Sequence, residues 1–161
     1  MTATDRPVRR YAATPVQISA LVVGAVFLLV GIAGFIPGLT TDVNAMLLAG
    51  HESGALLLGV FQVSILHNIV HLLFGIAGLW AATSFVASRN FLIWGGAVYA
   101  VLWLYGLLVP VDSAANFVPM NDADDWLHLG LAIGMILLGV LLGRRTVTGS
   151  TRAGSAGTPR A

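Results

Sequence analysis

Residues Val16 to Pro37 read VQISALVVGAVFLLVGIAGFIP, with no ionisable side chain among them. A helix that crosses a bilayer needs about 20 predominantly apolar residues, and this run has that length. It exceeds the roughly 7–15 apolar residues of a cleaved secretory core, so it reads as a retained first span. Three more apolar stretches follow, separated by Pro37-Gly38, by Ser88-Arg89-Asn90 and by the polar run from Asp112 to Asp125. The expected spans are 16–37, 67–86, 91–111 and 126–143.

Composition agrees with a membrane protein. The 161 residues, enough for one domain, are 57% hydrophobic and only 9% charged, with a mean hydropathy of +0.88. A soluble domain carries about 25% charged residues. Cysteine is absent, which excludes disulfides, thiolate metal sites and thiol catalysis. All eight basic residues are arginine, a bias typical of high-GC genomes.

The charges set an expected orientation. Arg6, Arg9 and Arg10 precede span one, Arg89 lies between spans two and three, and Arg144, Arg145, Arg152 and Arg160 follow span four. Asp42, Glu52, Asp112, Asp122, Asp124 and Asp125 occupy the two alternate connections. Basic loops stay cytoplasmic, so both termini are expected inside. The polar tails, 1–14 and 144–161, are expected to be disordered cytoplasmic segments. Their arginines suit anionic lipid headgroups rather than nucleic acid.

The two halves resemble each other. Gly24-Ala25-Val26-Phe27 matches Gly96-Ala97-Val98-Tyr99, Gly34 matches Gly106, and Asn68-Ile69-Val70-His71-Leu72 matches Asp125-Trp126-Leu127-His128-Leu129. The fold class expected is therefore all-α: a four-transmembrane-helix bundle built from two similar helical hairpins, as parallel repeats about an axis along the membrane normal. By this equivalence His71 and His128 lie one turn below the outer surface and His67 at it. Residues 55–66 become an outer helical extension, leaving 15–143 as the membrane domain.

Membrane helices associate through small-residue faces that let backbones approach. Gly24, Gly31, Gly34 and Gly38 form such a stripe on span one; His71, Gly75, Gly78 and Ala82 on span two; His128, Ala132, Gly139 and Gly143 on span four. Gly130 and Gly134 make a second pair on span four. The histidines, lying on these stripes, are expected to face the interior.

His67 and His71 are four apart, on one helical face, and His128 is the repeat mate of His71. Three imidazoles near the outer surface form a candidate metal or haem site, with Asp124 and Asp125 close by. The competing reading is structural: each histidine satisfies itself on a carbonyl, Asn68 or Asp125 and pins the two hairpins together. We favour the structural reading, and no resident cofactor is expected. The acids from Asp122 to Asp125 lack an EF-hand spacing. They read as solvated, with Asn121 to Asp125 capping the fourth helix. Phosphate-binding loops, nucleophile elbows and Ser/His/Asp constellations are absent from the sequence, so no enzyme is expected.

The stretch His67-Asn68-Ile69-Val70-His71-Leu72-Leu73-Phe74-Gly75-Ile76-Ala77-Gly78-Leu79, followed by Asn121-Asp122-Ala123-Asp124-Asp125-Trp126-Leu127-His128-Leu129, resembles the domain of unknown function 4383 family. The resemblance covers about residues 15 to 143. It implies a four-span protein of the cytoplasmic membrane of high-GC bacteria, and carries no activity with it. The function expected is a non-enzymatic structural or accessory subunit of a membrane assembly, with the bilayer, a membrane-protein partner or a second copy as its contacts. The alternatives are a histidine-based metal or haem protein acting in redox or sensing, and transport of a small solute or protons.

Overall fold

The structure is a computed structural model and describes residues 10–144. The expected disorder of 1–9 and 145–161 lies outside the described residues. Residues 10–14 are ordered: Ala12 N donates to Ala82 O at 3.1 Å, and Thr14 caps the first helix. The elements in order are α1 (Pro15–Ala33), β1 (Thr40–Thr41), a single 3-10 turn (Val43–Ala45), β2 (Leu56–Leu57), β3 (Phe61–Gln62), α2 (Ile65–Ala81), α3 (Phe85–Leu108) and α4 (Asp122–Leu141). Three helices, α1, α3 and α4, are long and apolar enough to cross a membrane; α2 is apolar but has 17 residues.

Local chemistry sets the helix boundaries. The helices start at side-chain caps: Thr14 before Pro15, Ser64, Ser84 and Asn121 each accept a hydrogen bond from a first-turn backbone N–H, as N-caps do. Ser64 and Asn121 stand at the same distance before His71 and His128. The third helix begins at Phe85, so Ser88-Arg89-Asn90 is helical and not a breaker. The break is the short turn before Ser84, and Ser88 Oγ donates across it to Ala81 O at 2.9 Å. The first helix ends at Ala33, ahead of Pro37, and Thr40 Oγ1 donates to the carbonyl of Ala33 at 3.0 Å. Gly38, with φ of +93° and nothing within 4 Å of where a Cβ would stand, belongs to this turn and not to the helical stripe.

Residues 55–64 are not helical, and of the expected 55–66 extension only Ile65 and Leu66 belong to a helix, α2. The 55–64 segment holds β2, a turn and β3, which join β1 in a three-stranded antiparallel sheet of order β1-β2-β3. Leu58 (φ +54°) and Gly59 (φ +70°) make the turn between β2 and β3. The left-handed backbone there ends any helix. Ala55, Leu57 and Val63 form a small core beneath the sheet.

The helices pair as neighbours in the chain, α1 with α2 and α3 with α4. Buried α1 residues Val16, Ala20, Gly24, Phe27 and Gly31 repeat at helical spacing; of these, Gly24 meets Gly75 and Gly78 of α2, and Gly31 meets Asn68 and Leu72. A Cβ on Gly24 would lie 2.9 Å from Gly75 O and 2.8 Å from Leu79 N. On α3, a Cβ on Gly96 would lie 2.9 Å from Ala132 O and 3.1 Å from Ile136 N. These are matching positions of the two halves. Gly34 and Gly106 match likewise: the first has the side chain of Asn68 over it, the second that of Asp125. Gly130 and Gly134 meet nothing within 4 Å, so they make no close approach among the described residues.

The bundle has two chemically distinct ends. At one, Gln17 Nε2 donates to Arg10 O and Ala82 O at 3.0 and 2.9 Å, and the Arg89 side chain lies over Gly143. The described arginines, Arg10, Arg89 and Arg144, all belong to this end. The sheet, the 109–121 connection and the six described acids occupy the other. Between them the helices bear large apolar side chains outward, among them Leu29, Leu73, Trp94 and Val101, each at least 60% exposed. Such faces fit a membrane protein.

Candidate functional site

The acid-bearing end of the bundle contains a cavity of about 170 Å³. His67, His71 and His128 all line it, together with Tyr99 and Phe117. The sequence grouping of three histidines is therefore present in space, although the rings differ in their bonding. His67 is in the first turn of α2 and His71 one turn further, and their rings stack with centroids 4.3 Å apart and planes 8° apart. Nδ1 of His71 lies 3.0 Å from the carbonyl oxygen of His67. A carbonyl only accepts, so His71 carries its proton on Nδ1 and leaves Nε2 as an acceptor.

His71 therefore satisfies itself on its own helix and does not tie the hairpins together. Nδ1 of His67 and Nδ1 of His128 are sealed without a partner. The Nε2 atoms of the three rings are neither hydrogen-bonded nor among the sealed atoms, and all three residues line the cavity.

This arrangement does not converge on one ion. A metal lies in the plane of each ligating imidazole, about 2 Å from nitrogen. The parallel planes of His67 and His71 do not meet at such a point. Among the described residues no group of three or more His, Asp or Glu is arranged to hold a metal. The space suits one small ring, since an apolar cavity of roughly 150 Å³ holds a benzene; a haem macrocycle is far larger.

Aromatic contacts join the two halves across the cavity floor. Phe27 stacks on Tyr99 at 5.4 Å and 18°. Phe27 also faces His71 at 5.5 Å, and Tyr99 faces His128 at 5.3 Å. Each half thus sets an aromatic of its odd helix against the histidine of its even helix, with the two aromatics meeting in the middle.

Asn68 and Asp125, expected to pack or hydrogen-bond, do so unequally. Asn68 is 1% exposed and donates from Nδ2 to Met46 Sδ at 3.6 Å, under the roof of Gly34 and beside Gly31. Asp125 fills the matching place against Gly106, but its Oδ1 is buried without a partner.

Sequence reasoning missed the contacts that bind the halves at this end. Asp124, expected to be solvated, is 1% exposed. Its Oδ2 accepts from Asn121 N and from Gln62 N in β3, both at 3.1 Å. Asn121 Oδ1 accepts from Ala123 N and Asp124 N, completing a capping box, and its Nδ2 donates to Val60 O at 2.8 Å. The signal was there in Asn121-x-x-Asp124, a capping-box pattern; the cross-chain partner was not. Tyr105 holds the 109–121 connection, donating from its hydroxyl to Ala115 O and accepting from Phe117 N.

The family described as domain of unknown function (DUF4383) matches residues 17–141. The chain belongs to this family. The match runs from residue 17 in α1 to the end of α4, so the cavity, the sheet and the Ser64 and Asn121 caps are within the family's domain. No curated protein and no solved structure matches the chain.

Proposed function

We propose that the chain is a four-span protein of the bacterial cytoplasmic membrane, with both termini inside, made of two hairpins that arose by duplication. Three spans are long enough by themselves. The fourth, α2, is supported by its ties: its end at Ala82 is bonded to Gln17 and Ala12 at the start of α1, while Ser64 at its other end adjoins the sheet. A helix held at both ends beside a spanning helix must cross as well, and 17 residues is the lower bound for doing so. The duplication is supported by the matched glycine contacts, the matched caps and the matched aromatic–histidine pairs.

Its role is that of a non-enzymatic accessory or structural subunit of a membrane assembly. The observation that carries this reading is the use made of the buried acid: Asp124 is spent on two backbone N–H groups that fasten sheet to helix. The open face at Gly130 and Gly134 offers a neighbouring helix the close approach that the inward glycines already use. Purification in a mild detergent tests it. A partner protein or a second copy should co-purify in fixed ratio, and an isolated monomer under every condition tried refutes it.

A second reading is favoured by the meeting of three histidines at one cavity. In it, His67, His71 and His128 hold a single metal ion after His67 or His71 turns out of the stack. Metal analysis of the purified chain decides the matter; no stoichiometric metal ends it.

A further inference from the structure

The cavity at the acid-bearing end of the bundle has four properties that together define a ligand. Its volume, about 170 Å³, is that of one six-membered ring with a small substituent, given that roughly 150 Å³ holds benzene. No lysine, arginine or carboxylate lines it, so a charged guest would lose its hydration without a counter-charge, at a cost of many kcal/mol. Aromatic rings stand around it, with Tyr99 on the floor and Phe117 at the rim, and these suit stacking or edge contacts with another ring. Its polar edge carries an acceptor of fixed sense, because the bond from Nδ1 of His71 to His67 O leaves Nε2 with a lone pair.

The exposed lining residues of the cavity are apolar. Leu66, Val70 and Phe117 line it and are 39%, 45% and 56% exposed. They belong to α2 and to the 109–121 connection.

We propose that this cavity binds a neutral aromatic ring bearing a hydroxyl group, the O–H donating to Nε2 of His71 and the ring lying between Tyr99 and Phe117. Two sources share that chemistry: a free phenol, and the reduced head of a lipid quinol whose tail leaves past Leu66, Val70 and Phe117. Such a site is independent of whether the chain also serves as an accessory subunit.

The test uses the full chain in lipid nanodiscs with nitrogen-15 in its histidine rings, read by NMR during titration with phenol. The Nε2 signal of His71 should shift saturably, and toluene, which has the same shape without the hydroxyl, should bind at least about tenfold more weakly. Leu102→Trp, which fills the cavity, and Val70→Phe, which adds bulk to its exposed apolar lining, should each abolish the saturable shift. Retention of the His71 Nδ1–H signal shows that either variant is folded. Absence of any saturable shift overturns the proposal, as does equal affinity for toluene, or unchanged phenol binding in a folded Leu102→Trp or Val70→Phe protein. Nanodiscs loaded with a long-tailed quinol assign the source. Displacement of phenol identifies the lipid head; phenol binding without displacement identifies a free phenolic compound, and both uphold the site.

Discussion

Replacing Gly24 by alanine places a methyl group into backbone, which cannot swing aside. Its Cβ would stand 2.8 Å from Leu79 N, 2.9 Å from Gly75 O and 2.9 Å from Gly78 C. Ordinary contacts of carbon lie at about 3.5–4.0 Å, so α1 and α2 must part by roughly half an ångström or more. A gap of that size forfeits about a quarter to a half of each dispersion contact along the seam, and overpacking of this kind costs about 1–3 kcal/mol. Alanine also favours helix over glycine by about 1 kcal/mol, which partly masks the loss. Gly130→Ala supplies the reference, because it gains the same helix preference at a site where nothing lies within 4 Å.

The two variants should therefore differ by about 1–3 kcal/mol in resistance to denaturant, Gly130→Ala being as stable as the parent or more so. Unfolding in detergent micelles, followed by circular dichroism, measures the difference. A Gly24→Ala protein as stable as Gly130→Ala refutes the close approach of α1 and α2.

Two other predictions follow from the polar ties. Asp124→Ala removes the acceptor of Gln62 N and Asn121 N and should lower stability by about 1–3 kcal/mol, with Asp124→Asn, which keeps one acceptor oxygen, losing less in the same unfolding assay. Gly34→Ala drives a methyl into the amide of Asn68, so its loss, again about 1–3 kcal/mol, should be largely relieved in the Gly34→Ala/Asn68→Ala double variant; additive losses in a double-mutant cycle refute that contact.

The helical bundle was legible because its signals are local and repeated. The absence of charge from Val16 to Pro37, and the glycines at helical spacing on Gly24, Gly31, Gly75 and Gly78, follow from what lipid and helix packing each demand. The small sheet was not legible. Its strands are two residues long, and Leu56–Leu57 and Phe61–Gln62 lie in an apolar run with no alternation to separate strand from helix. Only Gly59 hinted at the turn.

The histidine grouping could be read from the repeat, but its geometry could not. The stacking of His67 on His71 depends on side-chain rotamers, and the proton on Nδ1 of His71 is set by a carbonyl in its own helix. Asp124 was misjudged for a similar reason. An acid in the first turn of a helix is normally solvated, and the bond that Asp124 accepts from Gln62 N of the other half is not visible in the local pattern.

The central proposal is that two like hairpins cross the membrane with the arginine-bearing ends inside and the sheet, the Ser64 and Asn121 caps and the cavity outside. Because the chain contains no cysteine, single cysteines report topology without background. Asn44→Cys and Ala114→Cys, in the two acid-bearing connections, should react with a membrane-impermeant maleimide in intact cells. Thr83→Cys, between α2 and α3, should react only after the membrane is opened. Labelling of Thr83→Cys in intact cells, or of just one of the other two, contradicts the four-span arrangement.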